Sequence, residues 1–332
     1  MTRPLWRVAV VGIITSACAP VAISTASGAL PSRLRQHVTT VSVVPANEPG
    51  AILYDSTTDT VFFNDVKSNH VTAFNPNTNT VVAHIRVGIN PFSVGRDSTN
   101  GTIYTPNYES NTISVINGFG KNVIATVPTC AGGATDNAMY MATKTVYYNC
   151  AQGNYVAAMN GVTNQPLPDI RIPIGTGPAG IGIDQSSGVA YVTNLESNSI
   201  SVLNLKTNRV VRPPITVGAQ PFGFNWTATT LYVANSGGNT VSVINRGTNT
   251  VTHSITVGNG PRNIAYVAST HTMYVTNYNS NTVSAINTAT DQVIATIPVG
   301  VSPHGIAYDP NNNRLFVTDR GSNQVSIIQL ES

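Results

Sequence analysis

Charge is what this chain has least of. Only 9% of its 332 residues are Asp, Glu, Lys or Arg, where typical domains carry about 25%. No run of basic residues occurs, and two of the positive charges behind the net +3 are Arg3 and Arg7 at the extreme N-terminus. That argues against nucleic acid or an anionic membrane surface as partner, since both call for clustered Lys and Arg. Glutamate is confined to Glu48, Glu109, Glu196 and Glu331. The three cysteines form no Cys-x-x-Cys, and the six histidines (His37, His70, His84, His253, His271, His304) form no H-E-x-x-H, so zinc-ribbon, dithiol and zincin chemistry lack their spacings. A G-x-S-x-G elbow and a phosphate-binding glycine loop are missing as well. No catalytic residue, metal ligand or cofactor is assigned on this basis. Hydrophobic residues still make up 41%, which suffices for large cores; disorder would require few apolar residues and high net charge.

Long apolar runs are missing too. The opening "MTRPLWRVAVVGIITSACAPVAISTASGALP" has a basic start, a short apolar stretch from Val8 to Ile14 and small residues ending at Ala29. This is the layout of a secretory signal peptide over 1–29, with an apolar part too short for a confident membrane span; a retained N-terminal anchor is the alternative. "TSAC", Thr15 to Cys18, faintly resembles a lipoprotein box. Lipidation at Cys18 is the weaker expectation, because Thr15 stands where such boxes usually carry an aliphatic. Residues 30–37 read as a short linker. Cys130 and Cys150 then remain, twenty apart. In an oxidising compartment they are expected to form a disulfide, with two buried free thiols as the alternative.

The informative presence is a repeat. "YVTNYNSNTVSAIN", Tyr274 to Asn287, has a sibling 42 residues upstream in "YVANSGGNTVSVIN". The position of Asn277 is held by Asp65, Asn107, Cys150, Asn194, Asn235, Asn277 and Asp319. Four residues later stand Asn69, Asn111, Asn154, Asn198, Asn239, Asn281 and Asn323, and six further on Asn75, Asn117, Asn160, Asn204, Asn245, Asn287 and Gln329. Each copy is rich in β-branched and aromatic residues without 3.6-residue periodicity. Strands of about 6 residues with turns of about 4 place four strands in each repeat, which is a propeller blade.

The chain ends favour a closed ring. The seventh copy stops after its third strand, lacking the "VIATIPVGVSPHGIAYDP" that follows the sixth. "VTTVSVVPANEPGAILYDS", Val38 to Ser56, matches that segment in phase, with Val38 to Val44 as a fourth strand and Pro49 for Pro303. A ring uses this offset to join first and last blades and to remove exposed sheet edges. The expected fold is therefore all-β: one seven-bladed β-propeller over 38–332, four antiparallel strands per blade, closed by the N-terminal strand.

"YVTN" at Tyr191, "YVAN" at Tyr232, "YVTN" at Tyr274 and "FVTD" at Phe316, with the linking "VGAQP", "VGNGP" and "VGVSP", resemble the YVTN family of β-propeller repeats, also described as YncE-like or surface-layer-like. The resemblance covers the chain from about Val38 onward and implies a secreted or surface-attached propeller, most members having no assigned chemistry. The third blade departs most, with "YYNC" and "GGATDNAMYMA".

An Asn at the same point of seven hairpins is what seven similar turns need, because Asn tolerates left-handed backbone and bonds its own chain; a ring of neutral amides makes a weak cation site. The links from one blade's fourth strand to the next blade's first, and those between second and third strands, emerge on one rim of a propeller. After the motif proline the residue varies: Gly50, Phe92, Ala179, Phe222, Arg262 and His304, with Ala134 in the loosely aligned third blade. Phe92, Phe222, Arg262 and His304, extended by Tyr108, Tyr278 and Arg320, are the expected binding rim, since aromatics and Arg most often anchor interfaces. The leading functional reading is a non-catalytic binding or interaction propeller, monomeric, exported to the extracellular space or cell surface. Its ligand is unidentified: a polysaccharide, a peptide or a protein. A metal-assisted lyase or lactone hydrolase at the channel mouth, with Glu48, Asn90, Asn259 and His304 as ligands, and a structural envelope component are the alternatives.

Overall fold

In the computed structural model, residues 37–43 and 47–331 are described. The expected leader at 1–29 with Cys18, and residues 30–36 of the expected linker, lie outside them. The first blade shows how this sequence makes sheet. Its strands, Pro49–Asp55, Thr60–Asp65, His70–Asn75 and Thr80–Arg86, form an antiparallel meander. The second, TVFFND, is buried throughout and the third at its four central positions. Each sheet is covered on both faces by its neighbours, so these strands show no alternation of buried and exposed positions, and their polar residues Asn64, Asp65 and Thr72 are buried too. Outer strands are mostly exposed, as in Thr250–Thr256, where Ile255 alone is buried. Seven such sheets occur, giving the seven-bladed, four-stranded architecture that the repeat implied. The only helical element among the described residues is one 3-10 turn, Ala268–Thr270.

The ring closes as expected. His37–Ser42 pairs antiparallel with Gln324–Gln329, placing Val38 opposite Ile328 and Val41 opposite Val325. Behind this seam Phe63 and Phe74 of the first blade share a core with Phe316 and Ile327 of the seventh, and the Phe74 and Phe316 rings meet edge to face at 5.9 Å. The fourth blade departs locally: its outer strand is split into Arg209–Val210 and Ile215–Thr216, both paired with Ser199–Asn204. Pro213 and Pro214 lie between the pieces and have no N–H to donate, which only an outer edge tolerates.

The three asparagine series have three different causes. Side chains of Asn107, Asn194, Asn235 and Asn277 are fully buried, and their amides donate to two hydroxyls of the next strand, as Asn277 does to Thr282 at 3.0 Å and Ser284 at 2.9 Å. The turn explanation offered by sequence therefore fails for this series, which staples second strand to third. It holds for Asn69, Asn111, Asn154, Asn198, Asn239, Asn281 and Asn323, all at φ between 50° and 60°. Each of these also accepts, through Oδ1, the backbone N–H of a link residue leading to the next blade: Asn90, Gly133, Gly177, Gln220, Gly260, Ser302 and, for Asn323, Glu48. The six asparagines of the third series cap the following turn: Asn287 Oδ1 takes the N–H groups of Ala289 and Thr290.

Candidate functional site

The site begins with a backbone irregularity. In six blades the first residue of the inner strand (Pro49, Ala134, Pro178, Pro221, Pro261, Pro303) pairs with the Asn, Asp or Cys position of the second strand. Register then slips before pairing resumes at the third residue on. The second blade has the same layout, with a lone bridge from Pro91 to Asn107. Such a bulge leaves two residues outside the ladder and re-aims their side chains. Those residues are Phe92 and Ser93, Thr135 and Asp136, Phe222 and Gly223, Arg262 and Asn263, His304 and Gly305, with Gly50 and Ala51 and Ala179 and Gly180 completing the circle. The pairing corrects one sequence alignment: Ala134 takes the proline's own place, and Thr135 is the residue that follows it.

In the fourth, sixth and seventh blades a threonine of the second strand fixes this bulge. Thr276 Oγ1 accepts the N–H of Asn263 in its own blade at 3.0 Å and donates to the His304 carbonyl of the next blade at 2.9 Å. Thr193 and Thr318 do the same for Gly180 and Phe222, and for Gly305 and Gly50.

The bulged residues enclose one mouth of the central channel, a cavity of about 130 Å³ lined by Phe92, Asp136, Phe222, Phe224, Trp226 and His304 among others. The opposite mouth is wider, about 500 Å³, with Tyr54, Arg96, Met139 and Tyr266 on its wall.

Five of the seven rim residues expected from sequence come together. The Arg262 guanidinium carbon lies 4.9 Å from the Phe222 ring centre and 5.2 Å from that of Tyr278. The His304 ring meets Phe222 edge-on at 5.6 Å and Tyr278 at 6.4 Å. Arg320 stands close enough for its charge to act on both Arg262 and His304. Phe92 and Tyr108 form a separate pair at 6.2 Å, with Phe92 on the same cavity wall.

Electrostatics divides the two arginines. Arg320 is neutralised: its Nη2 and Nε donate to Glu48 Oε2 at 2.7 and 3.2 Å, and Lys67 pairs with the other carboxylate oxygen. Burial alone would raise the Glu48 carboxyl, but hydrogen bonds and charge from Lys67 and Arg320 outweigh it and hold it below the usual range. Arg262 makes no hydrogen bond or ion pair with any described residue, and its buried Nε has no partner. Burial lowers its proton affinity, Arg320 adds to that and Tyr278 opposes it; a guanidinium nonetheless stays charged. His304 is only 7% exposed, its Nδ1 without a partner. Burial first, then Arg320 and Arg262, drive its pKa well below the ordinary histidine value, so the ring is neutral at neutral pH.

Sequence reasoning missed Asp136, Phe224 and Trp226. Asp136 is held by Ser93 and by the N–H groups of Ile181 and Asn137 at 2.9 and 2.8 Å, and burial raises its pKa to about 6. The available signal was position: the matched residues are Ala51, Ser93, Gly180, Gly223, Asn263 and Gly305, so a carboxylate there is alone. Phe224 and Trp226 stack at 6.0 Å with Tyr191 against them.

Cys130 and Cys150 are joined as a disulfide, with Cα atoms 5.9 Å apart. Cys150 ends the strand Thr145–Cys150, in the slot of the stapling asparagines. The two facing residues, Ser or Thr in the four blades stapled by Asn, are here Tyr155 and Ala157, so an amide would lack that pair of short hydroxyls and the disulfide takes over the fastening.

Among the described residues no three or more of His, Cys, Asp and Glu are grouped to hold a metal ion. Of the ligands named for the catalytic alternative, Glu48 is engaged by Lys67 and Arg320, and Asn90 donates to Glu109 at 3.3 Å.

The profile of the YNCE-like β-propeller family matches residues 5–306 and again 211–331. The chain belongs to this family. No curated protein sequence matches it. Among solved structures, a Kuenenia stuttgartiensis hydrazine synthase chain superposes with a TM-score of 0.78 at 16% identity, covering 87% of this chain and 97% of that one. A streptogramin B lyase gives 0.75 at 15% identity, covering 89% and 98%. At such identities the likeness is one of fold.

Proposed function

We propose that this YNCE-like propeller is an extracellular binding protein that engages its ligand, without catalysis, at the channel mouth bounded by Phe222, Arg262, Tyr278 and His304. The observation that carries this is a charged guanidinium laid on two aromatic rings with no carboxylate to neutralise it. A scaffold needs no such group, whereas buried aromatics and Arg anchor recognition surfaces. The rigid ring supplies preorganisation, since bulges and threonine clamps fix the backbone beneath the site. Export follows from the leader-like N-terminus and is supported by the Cys130–Cys150 disulfide. Among the described residues no helix is long and apolar enough to cross a membrane.

The test is a binding screen of polysaccharides and peptides, followed by Arg262→Ala and Phe222→Ala. Each substitution should weaken the ligand found by more than about 1 kcal/mol at unchanged melting temperature. Unchanged affinity in both would move the site elsewhere on the ring. Lactone hydrolysis by the purified protein, with stoichiometric metal by elemental analysis, would replace the binding reading with the enzymatic one.

A further inference from the structure

We propose that the channel mouth takes a free carboxylate at the C-terminal end of a peptide, with the carboxylate on Arg262 and the last side chain, neutral and of modest size, in the cavity behind Phe222. The proposal rests on the binding reading above and adds the ligand's chemistry.

Charge selects the anion. Two carboxyls stand near this mouth and neither pairs with Arg262: Glu48 is shared by Lys67 and Arg320, and Asp136 is held by Ser93 and two backbone N–H groups. Arg262 is thus the uncompensated cation, in a chain only 9% charged. Its fork is stacked against Phe222 and Tyr278 rather than swinging free, so little rotamer freedom remains to be lost on binding, and a guanidinium fork matches a carboxylate with two parallel N–H bonds. The neutral His304 adds no competing cation beside Arg262.

Size selects the chain end. Phe222, which carries Arg262 on its ring, also lines the cavity of about 130 Å³ together with Phe224 and Trp226. A cavity near 150 Å³ takes a benzene molecule, so this one suits a single aliphatic side chain. Asp136 lines the same space and is already satisfied by Ser93 and two backbone N–H groups; its presence disfavours a second acidic group deeper in. A uronate in a polysaccharide offers the carboxylate but brings a hydroxylated ring too large for the cavity.

Calorimetric titration of the purified protein with acetyl-Ala-Ala-Leu, its C-terminal amide and glucuronate decides it. The free acid should bind at least tenfold tighter than the amide, and Arg262→Gln should erase that difference. Arg209→Gln on an exposed outer strand controls for net charge and should leave it intact. Equal affinity of acid and amide, or no binding of either at millimolar concentration, overturns the proposal. Glucuronate binding more tightly than the peptide acid moves the ligand to acidic saccharides. Acid binding that is lost in Phe222→Ala but kept in Arg262→Gln overturns the carboxylate pairing while leaving the mouth as the site. Thermal melting of each variant separates loss of contact from loss of fold.

Discussion

Asn323 and Glu48 lie 275 positions apart and meet where the ring closes, the Glu48 N–H donating to Asn323 Oδ1 at 2.9 Å. Both sit in left-handed backbone, at φ 53° and 58°. Asn323→Ala should therefore lose a hydrogen bond and pay for a left-handed alanine, together about 2 kcal/mol. Asn323→Gly keeps the backbone and should cost about half as much. Differential scanning calorimetry of both reads the order, and a Gly variant no better than Ala would mean that the φ contributes nothing.

Four blades carry Asn where the first and seventh carry Asp65 and Asp319. Burial raises both carboxyls from 3.8 to about 7, and Asp136 to about 6. A carboxyl whose folded pKa is raised keeps its proton longer in the native state than in the unfolded chain. Stability is then full below about pH 4 for these groups and declines as pH climbs toward 7. The lowered carboxyls, Asp184 and Glu48 among them, act oppositely in acid, so the melting temperature should peak on the acidic side of neutrality. Asp65→Asn with Asp319→Asn should raise it at pH 8 and flatten the decline, the gain in stability being about a few kcal/mol at most. A profile unchanged by the double variant would show that these two carboxyls do not set the slope.

In the fifth blade the threonine clamp is missing, because Ala234 occupies its position. Ala234→Thr should supply the bond to the Gly223 N–H and the Arg262 carbonyl that Thr276 makes one blade on. A gain of about 1 kcal/mol is expected, read as a higher melting temperature. A lower one would indicate that the fully buried site has no room for the added atoms.

Opening the Cys130–Cys150 disulfide should cost about 3 kcal/mol through the freed loop. Cys150→Asn combined with Cys130→Ala should not recover that loss, since Tyr155 and Ala157 offer no hydroxyl pair to an amide. Melting under reducing and non-reducing conditions checks the first statement, and the double variant the second. Recovery to the oxidised melting temperature would show the staple to be interchangeable with the cystine.

The architecture was legible because a ring of like blades writes its period into the chain. Val38 to Val44 matched the missing last strand, and Cys150 stood alone among Asn and Asp. The rim was legible in part: Arg262, Phe222, Tyr278 and His304 were named from matched positions, and the structure puts them in contact. Sequence could not show that Arg320 is cancelled by Glu48, because the two residues are 272 apart and meet only through closure. Asp136 stayed hidden because the third blade lacks the motif proline, so its alignment was off by one residue until strand pairing fixed it. The stapling role of Asn277 was hidden for another reason: an amide in a turn and an amide in a core obey the same spacing, and only burial tells them apart.

The bulge behind the motif proline separates what folds the ring from what lines its mouth. Its two residues stand outside the ladder, and side chains as unlike as phenylalanine, arginine, histidine, threonine and alanine follow the proline position around one opening on nearly the same backbone. The paired register is the same under all of them, whereas the second bulge residue ties neighbouring blades together, as Asp136 does through the Ile181 N–H and Asn263 through the His304 carbonyl. A mouth of new chemistry is thus reachable by changing the first residue of each pair, one blade at a time, over a strand register that stays the same.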